Sequence, residues 1–442
     1  MPDVLGCDVA VVGGGPAGAV AARGLARAGY RVVVLATPRA HSVVEGLSPR
    51  TREALRAAGC DAALACLGAA VPRVAAWNGA RTAANVEHPV ERAALDAALA
   101  ADARRAGATV VAARAGRVLA ERGGWTVDAT AAGRRLAVRS RFLVEGRGRA
   151  APATGLRRRG PASIALVGTW ATPAAEAGTA VFAFADGWCW VASRGEGRTT
   201  VQVVVAGGRR AVPARPALAA FYRGLVARVP EAAATCAGAR LLDVHARVAT
   251  PVLATGAVGA RALRVGDAAC AVDPLSGHGV FHAVASGLAA VPVVRTLVER
   301  PRDRALAAAF WRARVGETFA NAARGGREVY RAEARFAARP FWRARRTWPA
   351  RAQRPAGAPA VAARPVVEDG WIVRREVVVT AARPRGVWRV DGVPVAPLLR
   401  AAAHDGRGGA RALAAFARAH GLRADAIARA LAWLRREGLL PG

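Results

Sequence analysis

Residues 8–35 read DVAVVGGGPAGAVAARGLARAGYRVVVL, which is an apolar strand, a glycine-rich turn, a helix and a second apolar strand. Gly13, Gly15 and Gly18 form the pattern G-x-G-x-x-G where the strand passes into the helix. In this context the first glycine allows a tight turn, the second lets a pyrophosphate approach the backbone, and the third lets the helix pack against the strand. The stretch therefore predicts a βαβ unit that binds a dinucleotide.

The first turn of this helix is the predicted phosphate site. Pro16 and Ala17 begin the helix, where free N–H groups and the helix dipole favour a bound anion. One part of the usual pattern is missing, because Ala36 and Thr37 follow the second strand at the position where an acidic residue normally binds the adenosine ribose. We therefore expect the adenosine to be anchored in another way.

A second glycine-rich block, RALRVGDAACAVDPLSGHGVFHAVASG at residues 261–287, reads as a strand, a loop and a helix. A carboxylate at the end of the strand can hold a ribityl hydroxyl, and backbone N–H groups at the start of the helix can contact the edge of an isoalloxazine ring. The residues expected to make these contacts are Gly266, Asp267, Pro274, Gly277 and Gly279. An ordinary glycine-rich helix start does not explain this spacing, which favours a flavin as the dinucleotide.

The composition is typical of a soluble, packed protein. Of the 442 residues, 53% are hydrophobic, and because no stretch approaches the ~20 uninterrupted apolar residues of a membrane span, we expect none. The first strand begins almost at Met1, so no signal peptide precedes it and a cytoplasmic location is expected. The six cysteines lack a C-x-x-C pair, which argues against a metal site and against a disulfide framework.

The charge of the chain is strongly positive. It has 65 basic and 31 acidic residues, a net charge of +34, and every basic residue is an arginine. The arginines are scattered and accompany an excess of alanine, which favours coding bias over selection for a nucleic-acid partner. An acidic peptide or small protein remains compatible with this surface. Any mechanism that needs a lysine amine is excluded.

Four segments, taken in chain order, resemble the landmarks of the p-hydroxybenzoate-hydroxylase-like superfamily of FAD-dependent monooxygenases. They are GGGPAG (13–18), VERAALDAAL (90–99), VEGRGRAAP (144–152) and GDAACAVDPLSGHG (266–279). The resemblance extends over about residues 7–350 and implies FAD as the cofactor, O2 as co-substrate, and NAD(P)H or a reductase as the electron source. It also implies that Arg92 approaches the FAD, where its guanidinium would pair with phosphate or ribityl oxygens.

Three further segments narrow the resemblance. VVEGLSPRTREALRAAG (43–59), DGWCW (186–190) and VYRAEARF (329–336) look like the branch that contains flavin halogenases and the maturation monooxygenases of the QhpG and LodB type. Those maturation enzymes act on a tryptophan inside a protein to prepare a cysteine tryptophylquinone cofactor. Halogenases of this branch relay hypohalous acid through a lysine, and this chain has none. The resemblance therefore implies hydroxylation of a tryptophan in a peptide or small protein.

Composition and periodicity divide the chain into a large core and a smaller tail. The tail reads as short strands followed by three helices, which suggests a winged helix that recruits a peptide. The predicted organisation is an α/β Rossmann-type FAD-binding domain at 1–350, with an antiparallel β-sheet over the substrate (the substrate roof) at about 60–90 and 155–260, a linker at 351–368, and a winged-helix-like α+β domain at 369–442. Three alternatives stay open: a small-molecule aromatic hydroxylase, a geranylgeranyl-reductase-like oxidoreductase, and a tail that binds DNA.

Two residues are candidate acid/base groups. Glu45 lies in a loop that the superfamily places near the flavin ring, so it either accepts a proton from an indole or phenol or caps the helix after Ser48. His278 is a possible proton donor beside the flavin. His278 and His282 have the spacing of metal ligands on a helix, but nothing else in the sequence supports a metal, and we predict none.

Overall fold

The structure is a computed structural model that describes residues 3–37, 39, 43–153, 155–173, 176–208, 212–350, 359–403 and 406–441. The chain forms two compact units. The large unit comprises Met1–Val294 and Arg314–Arg351, and the small unit comprises Arg295–Ala313 and Ala352–Gly442. The small unit thus contains residues 295–313, which lie outside the tail proposed from the sequence.

The elements between residues 3 and 346 follow in chain order. The strands are β1 (Asp3–Val12), β2 (Val32–Leu35), β3 (Val44–Leu47), β4 (Val71–Trp77), β5 (Ala80–Glu91), β6 (Thr109–Val111), β7 (Arg114–Ala120), β8 (Trp125–Ala131), β9 (Arg134–Glu145), β10 (Arg157–Arg159), β11 (Ser163–Ala171), β12 (Gly178–Phe184), β13 (Gly187–Ser193), β14 (Arg198–Ala206), β15 (Arg240–Val248), β16 (Val252–Ala254), β17 (Ala262–Arg264) and β18 (Cys270–Ala271). The helices are α1 (Pro16–Arg27), α2 (Pro49–Ala57), α3 (Asp61–Ala65), α4 (Arg92–Arg105), α5 (Arg215–Val226), α6 (Pro230–Thr235), α7 (Gly279–Glu299), α8 (Arg304–Ala332) and α9 (Pro340–Arg346). Short 3₁₀ turns cover Gly148–Ala150, Gly266–Ala268, Pro274–Ser276 and Pro301–Asp303.

A seven-stranded sheet of order β6-β2-β1-β9-β8-β7, with β17 also pairing with β9, carries the nucleotide-binding turns. β1 is parallel to β2 and β9, and β17 is parallel to β9. In the register, Glu145 of β9 lies opposite both Val12 and Arg264. The turns that follow β1 and β17 therefore meet at one edge of the sheet, where open α/β sheets bind their ligands. The predicted Rossmann-type α/β fold is confirmed.

A second sheet of eight strands has the order β15-β11-β14-β13-β12-β4-β5-β3 and lies in the segments predicted as the substrate roof. Its neighbours are antiparallel, as expected, except that β4 and β12 are parallel. One face packs around the buried Tyr222 of α5, and the other packs Trp188 against Tyr330 and Trp342. Alternating side chains of the same strands thus supply two different cores.

Helix α7 is long and apolar enough to cross a membrane by length and composition alone, and it is the one described helix of which this is true. More than half of its most apolar window is buried inside the protein. Val280 and Val284 pack in one core with Leu95 and Leu99 of α4, and a Cβ on Gly287 would lie 2.6 Å from the Ala17 oxygen. This helix is therefore a core helix of the fold, packed against α1.

The small unit adds a three-stranded sheet and three helices. Its elements are β19 (Ala360–Glu368), β20 (Trp371–Thr380), β21 (Arg383–Val387), β22 (Arg389–Val390), β23 (Val393–Pro394), α10 (Val395–Ala402), α11 (Gly406–His420) and α12 (Ala424–Arg436). The sheet order is β19-β20-β21, and the core contains Phe416, Ile427, Trp433 and Leu434. Trp371 stacks on Arg295 and Arg300, at 4.1 and 3.9 Å from guanidinium carbon to ring centre. These stacked arginines explain why residues 295–313 group with this unit.

Two expectations for the tail need comment. Residues 360–368 of the predicted linker are not a linker, because they form β19, which pairs along its length with β20. Residues 351–358 lie outside the described residues. Pro365 is tolerated in β19 because an edge strand does not need every N–H for pairing. The winged-helix assignment stays a prediction. In the tail the strands β19–β23 come first and the helices α10–α12 follow, which is a small α+β arrangement.

Candidate active site

A cavity of about 1390 Å³ lies between the two sheets of the large unit. It exceeds the ~300–1,000 Å³ of ordinary small-molecule pockets, so it has room for a dinucleotide and a substrate group. The sequence-predicted residues that line it are Gly13, Gly15, Pro16, Ala17, Glu45, Arg92, Gly266, Asp267, Pro274, Gly277 and Gly279. Gly18 and His278 are not part of the lining.

The first glycine turn leaves space for a ligand on one side only. Gly13 has φ +108°, and a Cβ there would meet the Gly146 oxygen at 2.4 Å, while a Cβ on Gly18 would meet the Gly13 oxygen at 1.9 Å. Gly15 differs, because the nearest described atom to its Cβ position is Nη2 of Arg92 at 3.7 Å. Gly15 also caps the N-terminus of α1. The turn is therefore closed toward the protein and open toward the cavity, as an anion site at a helix N-terminus requires.

Arg92 begins α4 and faces this open space. Its Nη1 donates to Glu45 Oε1 at 2.6 Å and its Nε donates to Asp96 at 2.9 Å. Burial alone would raise the pKa of Glu45, but the charges of Arg92, Arg247 and Arg39 outweigh it and hold that pKa below 4.5. Glu45 is therefore an ionised carboxylate that fixes the guanidinium. The helix cap belongs to Ser48, whose side chain accepts from the Thr51 N–H.

The end of β2 lines the cavity without the usual acidic residue. A Cβ on Gly14 would lie 2.5 Å from the Ala36 Cβ, so the strand end is packed directly against the turn. A carboxylate instead comes from α4, where Asp96 lines the cavity and pairs with Arg39 and Arg92. Sequence reasoning missed Asp96, although it lies four residues after Arg92 and so on the same helix face.

Asp267 lies at the other side of the sheet edge, within the turn after β17. Gly266 has φ +55°, and a Cβ there would be 2.7 Å from the Ala17 Cβ, so only glycine lets this turn approach α1. The Asp267 carboxylate pairs with Arg149 at 3.3 Å, and desolvation in the cavity wall raises its pKa above 3.8 despite that cation. Arg149 also donates to the Thr250 and Val272 oxygens, which fixes its position.

A series of buried hydrogen bonds fixes the turn at Pro274–Ser276. The Asp273 side chain accepts from the Leu275 N–H at 3.0 Å and from the Tyr330 hydroxyl at 3.1 Å. Tyr330 in turn accepts from the Trp188 indole N–H at 3.1 Å. Burial raises the pKa of Asp273 and of Tyr330. These hydrogen bonds connect the roof to the backbone that is expected to contact the flavin, and no sequence pattern indicated them.

The structure does not bring His278 together with the other candidates. Its ring lies 6.4 Å from Phe281 and 6.2 Å from His282, measured between ring centres, in a cluster outside the cavity lining. Desolvation and the charges of Arg50 and Arg73 lower its pKa below 6.5. Gly277 and Gly279 on either side of His278 line the cavity, whereas His278 itself is not part of the lining. Among the described residues, no group of three or more metal-ligating side chains occurs.

A buried polar group that the sequence did not single out also lines the cavity. Arg73 of β4 donates to Glu87 of β5 at 3.0 Å, and Thr179 of β12 donates to the other Glu87 oxygen at 2.8 Å. Within the described residues, the buried Nε of Arg73 has no hydrogen-bond partner. A Cβ on Gly277 would lie 3.0 Å from Arg73 Nη1. This group therefore lies at the end of the cavity formed by the second glycine block.

These features fit a bound FAD. Gly15 offers an open cradle at a helix N-terminus, Arg92 and Arg149 supply fixed cations, and Gly277 lies beside the Arg73 guanidinium at the cavity wall. Phosphates favour arginines and helix N-termini, and a flavin ring favours backbone donors at its pyrimidine edge.

Comparison with known proteins agrees with this geometry. Residues 6–291 match the family model described as FAD binding domain. The solved structure of "Peptidyl tryptophan dihydroxylase QhpG essential for tryptophylquinone cofactor biogenesis" is similar at 36% identity and a TM-score of 0.83, covering 98% of this chain and 100% of that one. The flavin-dependent halogenase CmlS is similar at 20% identity and 0.74, covering 98% and 95%. The myxobacterial chondrochloren halogenase CndH is similar at 25% and 0.59, covering 78% and 86%. The comparison with curated proteins gave no match.

Proposed function

Since this chain belongs to the FAD-binding-domain family and is an FAD-dependent monooxygenase-type oxidoreductase, we propose that it hydroxylates a tryptophan within a peptide or small protein. The proposed context is biogenesis of a cysteine tryptophylquinone cofactor. FAD supplies the redox chemistry, O2 is the co-substrate, and NAD(P)H or a reductase supplies electrons. The cytoplasmic location is also proposed, on the sequence alone.

The observation that carries this proposal is the likeness to QhpG, a peptidyl tryptophan dihydroxylase, over almost the full length of both chains. Its coverage of 98% of this chain includes the small unit as well as the FAD-binding core. The halogenases at 20–25% identity support the fold and not their activity. The absence of lysine removes the residue through which such halogenases act.

The residues of the cavity have separate proposed roles. We assign phosphate or ribityl contacts to Gly15, Pro16, Ala17 and Arg92, and a ribityl hydroxyl to Asp267. Glu45 was a candidate base, but an effective base has a pKa near the working pH, and Arg92 holds that of Glu45 low. Its pairing supports a role in positioning Arg92.

The decisive experiment uses a tryptophan-containing peptide or small protein encoded beside this chain as substrate. The full-length protein with FAD, NAD(P)H and O2 is expected to add one or two oxygen atoms to the tryptophan, detected by mass spectrometry with ¹⁸O2. Oxygen incorporation into a small phenol with none into the peptide would contradict the peptide assignment. A chlorinated product in the presence of chloride would contradict the monooxygenase assignment.

The small unit is the proposed peptide-recruiting part. β19 is an edge strand, so an extended peptide can add to it through backbone hydrogen bonds. Val361 and Val367 of β19 are 39% and 46% exposed, which gives an incoming strand apolar contacts. Arg374 on the neighbouring strand supplies positive charge for an acidic peptide, whereas Arg375 is paired with Glu368.

Point substitutions test recruitment more cleanly than truncation, because removing the tail would strip Trp371 from Arg295 and Arg300. Val361→Asp with Val367→Asp is expected to lower peptide turnover while NAD(P)H oxidation persists, since lost remote binding energy reduces turnover. Leu119→Asp, at an equally exposed apolar position of the large unit, is the control. Unchanged peptide turnover, or specific binding of a DNA duplex by this protein, would contradict recruitment through β19.

A further inference from the structure

Arg73, Glu87 and Thr179 form a cluster of polar side chains inside the roof. Thr179 lies directly opposite Arg73 in the parallel pairing of β12 with β4, and the register of β4 with β5 shifts between Arg73 and Val74. The Glu87 side chain is 3% exposed and the Arg73 side chain 15% exposed. Taking such charges out of water costs several kcal/mol per ion, and an apolar pair would fill the space without that cost. A purely structural role does not explain why this site is charged.

Glu87 and Arg73 differ in how many of their acceptors and donors are used within the cluster. Both oxygens of Glu87 are used, one by Arg73 and the other by Thr179. A guanidinium has five N–H donors, and only Nη1 of Arg73 donates to a described residue, with the buried Nε left over. Each oxygen of the carboxylate thus accepts one hydrogen bond from the protein, while part of the hydrogen-bonding capacity of the guanidinium, which borders the cavity, is not used by described residues.

The cluster lies where the flavin ring is expected. Both charged residues line the cavity beside Gly277, and a Cβ on Gly277 would approach Arg73 Nη1 to 3.0 Å. On the other side, a Cβ on Gly46 would lie 2.2 Å from Glu87 Oε2. Backbone from two separate segments therefore closes on the pair, which fixes the guanidinium at this end of the cavity.

We infer that Arg73, positioned by Glu87 and Thr179, sets the redox balance of the bound FAD. A bound ring that takes up two electrons and one proton, as in hydride transfer from NAD(P)H, would carry one negative charge near neutral pH. A fixed cation beside the ring stabilises that charge, so it favours the reduced form. No bond forms between Arg73 and the flavin. This inference rests on FAD as the cofactor and not on the identity of the substrate. An experiment can therefore contradict it without contradicting the proposed tryptophan hydroxylation, and the reverse also holds.

The test is the midpoint potential of FAD bound to the full-length protein, measured by dye-coupled reduction without any substrate. Arg73→Gln should make the potential more negative, because the cation that favours reduction is lost. Glu87→Gln should make it less negative, because the neighbouring anion is lost while an amide can still bond to Thr179. Arg73→Lys should stay near wild type, since it keeps the charge. Opposite shifts from two adjacent positions are a result that loosened packing does not produce.

Arg104→Gln is the matched control, because Arg104 also lines the cavity but lies about three turns further along α4 than Arg92. It should leave the potential unchanged. If a variant holds FAD too weakly for titration, the ratio of its dissociation constants for oxidised and reduced FAD gives the same quantity. Shifts of the same sign for Arg73→Gln and Glu87→Gln, no shift in either, or an Arg73→Lys variant that matches Arg73→Gln would overturn the inference.

Discussion

Two arginine–glutamate pairs line one cavity, and they are built differently. Arg92 pairs with Glu45 at 2.6 Å and shares a second carboxylate, Asp96, so the cation is surrounded by anions. Arg73 pairs with Glu87 at 3.0 Å, and there it is the anion that has a second partner, Thr179. The first pair connects strand β3 to the start of helix α4, whereas the second joins the adjacent strands β4 and β5.

The two pairs are therefore expected to have different roles. The Arg92 pair binds the cofactor, and the Arg73 pair changes the redox potential of its ring. Arg92 faces Gly15, where the nearest free space suits a phosphate, and its two carboxylates fix its direction. Arg73 faces Gly277 and keeps an unused buried donor. We therefore expect loss of the first pair to change how tightly FAD binds, and loss of the second to change protein stability and the behaviour of the bound ring.

The largest expected effect comes from closing the space beside Arg92. Gly15→Val should abolish FAD binding, because its side chain would fill the volume next to Nη2 of Arg92 that the phosphates need. Flavin absorbance of the purified protein and a fluorescence titration with added FAD measure this. Gly224→Val is the control, since Gly224 on α5 has no atom within 4 Å of its Cβ position. Normal FAD binding by Gly15→Val would show that the phosphates lie elsewhere.

The second expected effect concerns stability. Glu87→Ala should lower the free energy of unfolding by about 3 kcal/mol, because it leaves a buried guanidinium and the Thr179 hydroxyl without their partner; the value is at the low end for buried pairs since Arg73 borders the cavity. Glu45→Ala should cost about 1 kcal/mol, since its carboxylate is only partly buried and Arg92 keeps Asp96. Denaturant unfolding followed by tryptophan fluorescence compares the two. Equal losses would remove the distinction between the pairs.

The third expected effect concerns affinity for oxidised FAD. Arg92→Gln should weaken binding by about 1.5–3 kcal/mol, the usual loss for hydrogen bonds to a charged group. Arg73→Gln should weaken the affinity for oxidised FAD by less, about 0.5–1 kcal/mol, the usual net value of a hydrogen bond to a neutral group, because the oxidised ring is neutral. Isothermal titration of the apoprotein measures both. A larger loss from Arg73→Gln would place a phosphate, and not the ring, at Gly277.

The smallest expected effect is a pH dependence. Because the folded pKa of Glu45 lies below its ordinary value, its pairing stabilises the protein above about pH 4.5 and is lost as the pH falls through the lowered pKa. The stability gap between wild type and Glu45→Gln should therefore be present at neutral pH and close in strong acid. Unfolding curves across this range measure it. A gap that stayed constant would mean that Glu45 is not ionised in the folded protein.

Local sequence signals predicted much of this site. The turns at Gly13–Gly18 and Gly266–Gly279 are short, and the immediate neighbours of Gly13, Gly18 and Gly266 leave no space for a Cβ, so the pattern alone indicates the turns. Arg92 was identified by its position in a matching segment, and the order of strands and helices gave the α/β class. FAD as the cofactor is confirmed.

The remaining parts depend on pairings that sequence patterns do not contain. Arg73 and Thr179 meet only because β4 and β12 are parallel neighbours, and a register shift beside Arg73 removes any simple alternation. Strand β19 was hidden because its proline and arginine content is typical of a linker, and only its pairing with β20 shows it to be a strand. The role of His278 stays a prediction, because its proximity along the chain to Gly277 does not make it part of the cavity lining.

The parallel pairing of β4 with β12 also has a consequence for how the protein folds during synthesis. About 100 residues separate the two strands, so the chain must close a long loop before Arg73, Glu87 and Thr179 can meet. The turn at Gly277 is made later still. An emerging N-terminal half can thus form β1, α1 and β2 but not the complete cofactor site. FAD would then bind and stabilise the protein only when its synthesis is nearly complete. Cells short of riboflavin should therefore accumulate this protein in a protease-sensitive form.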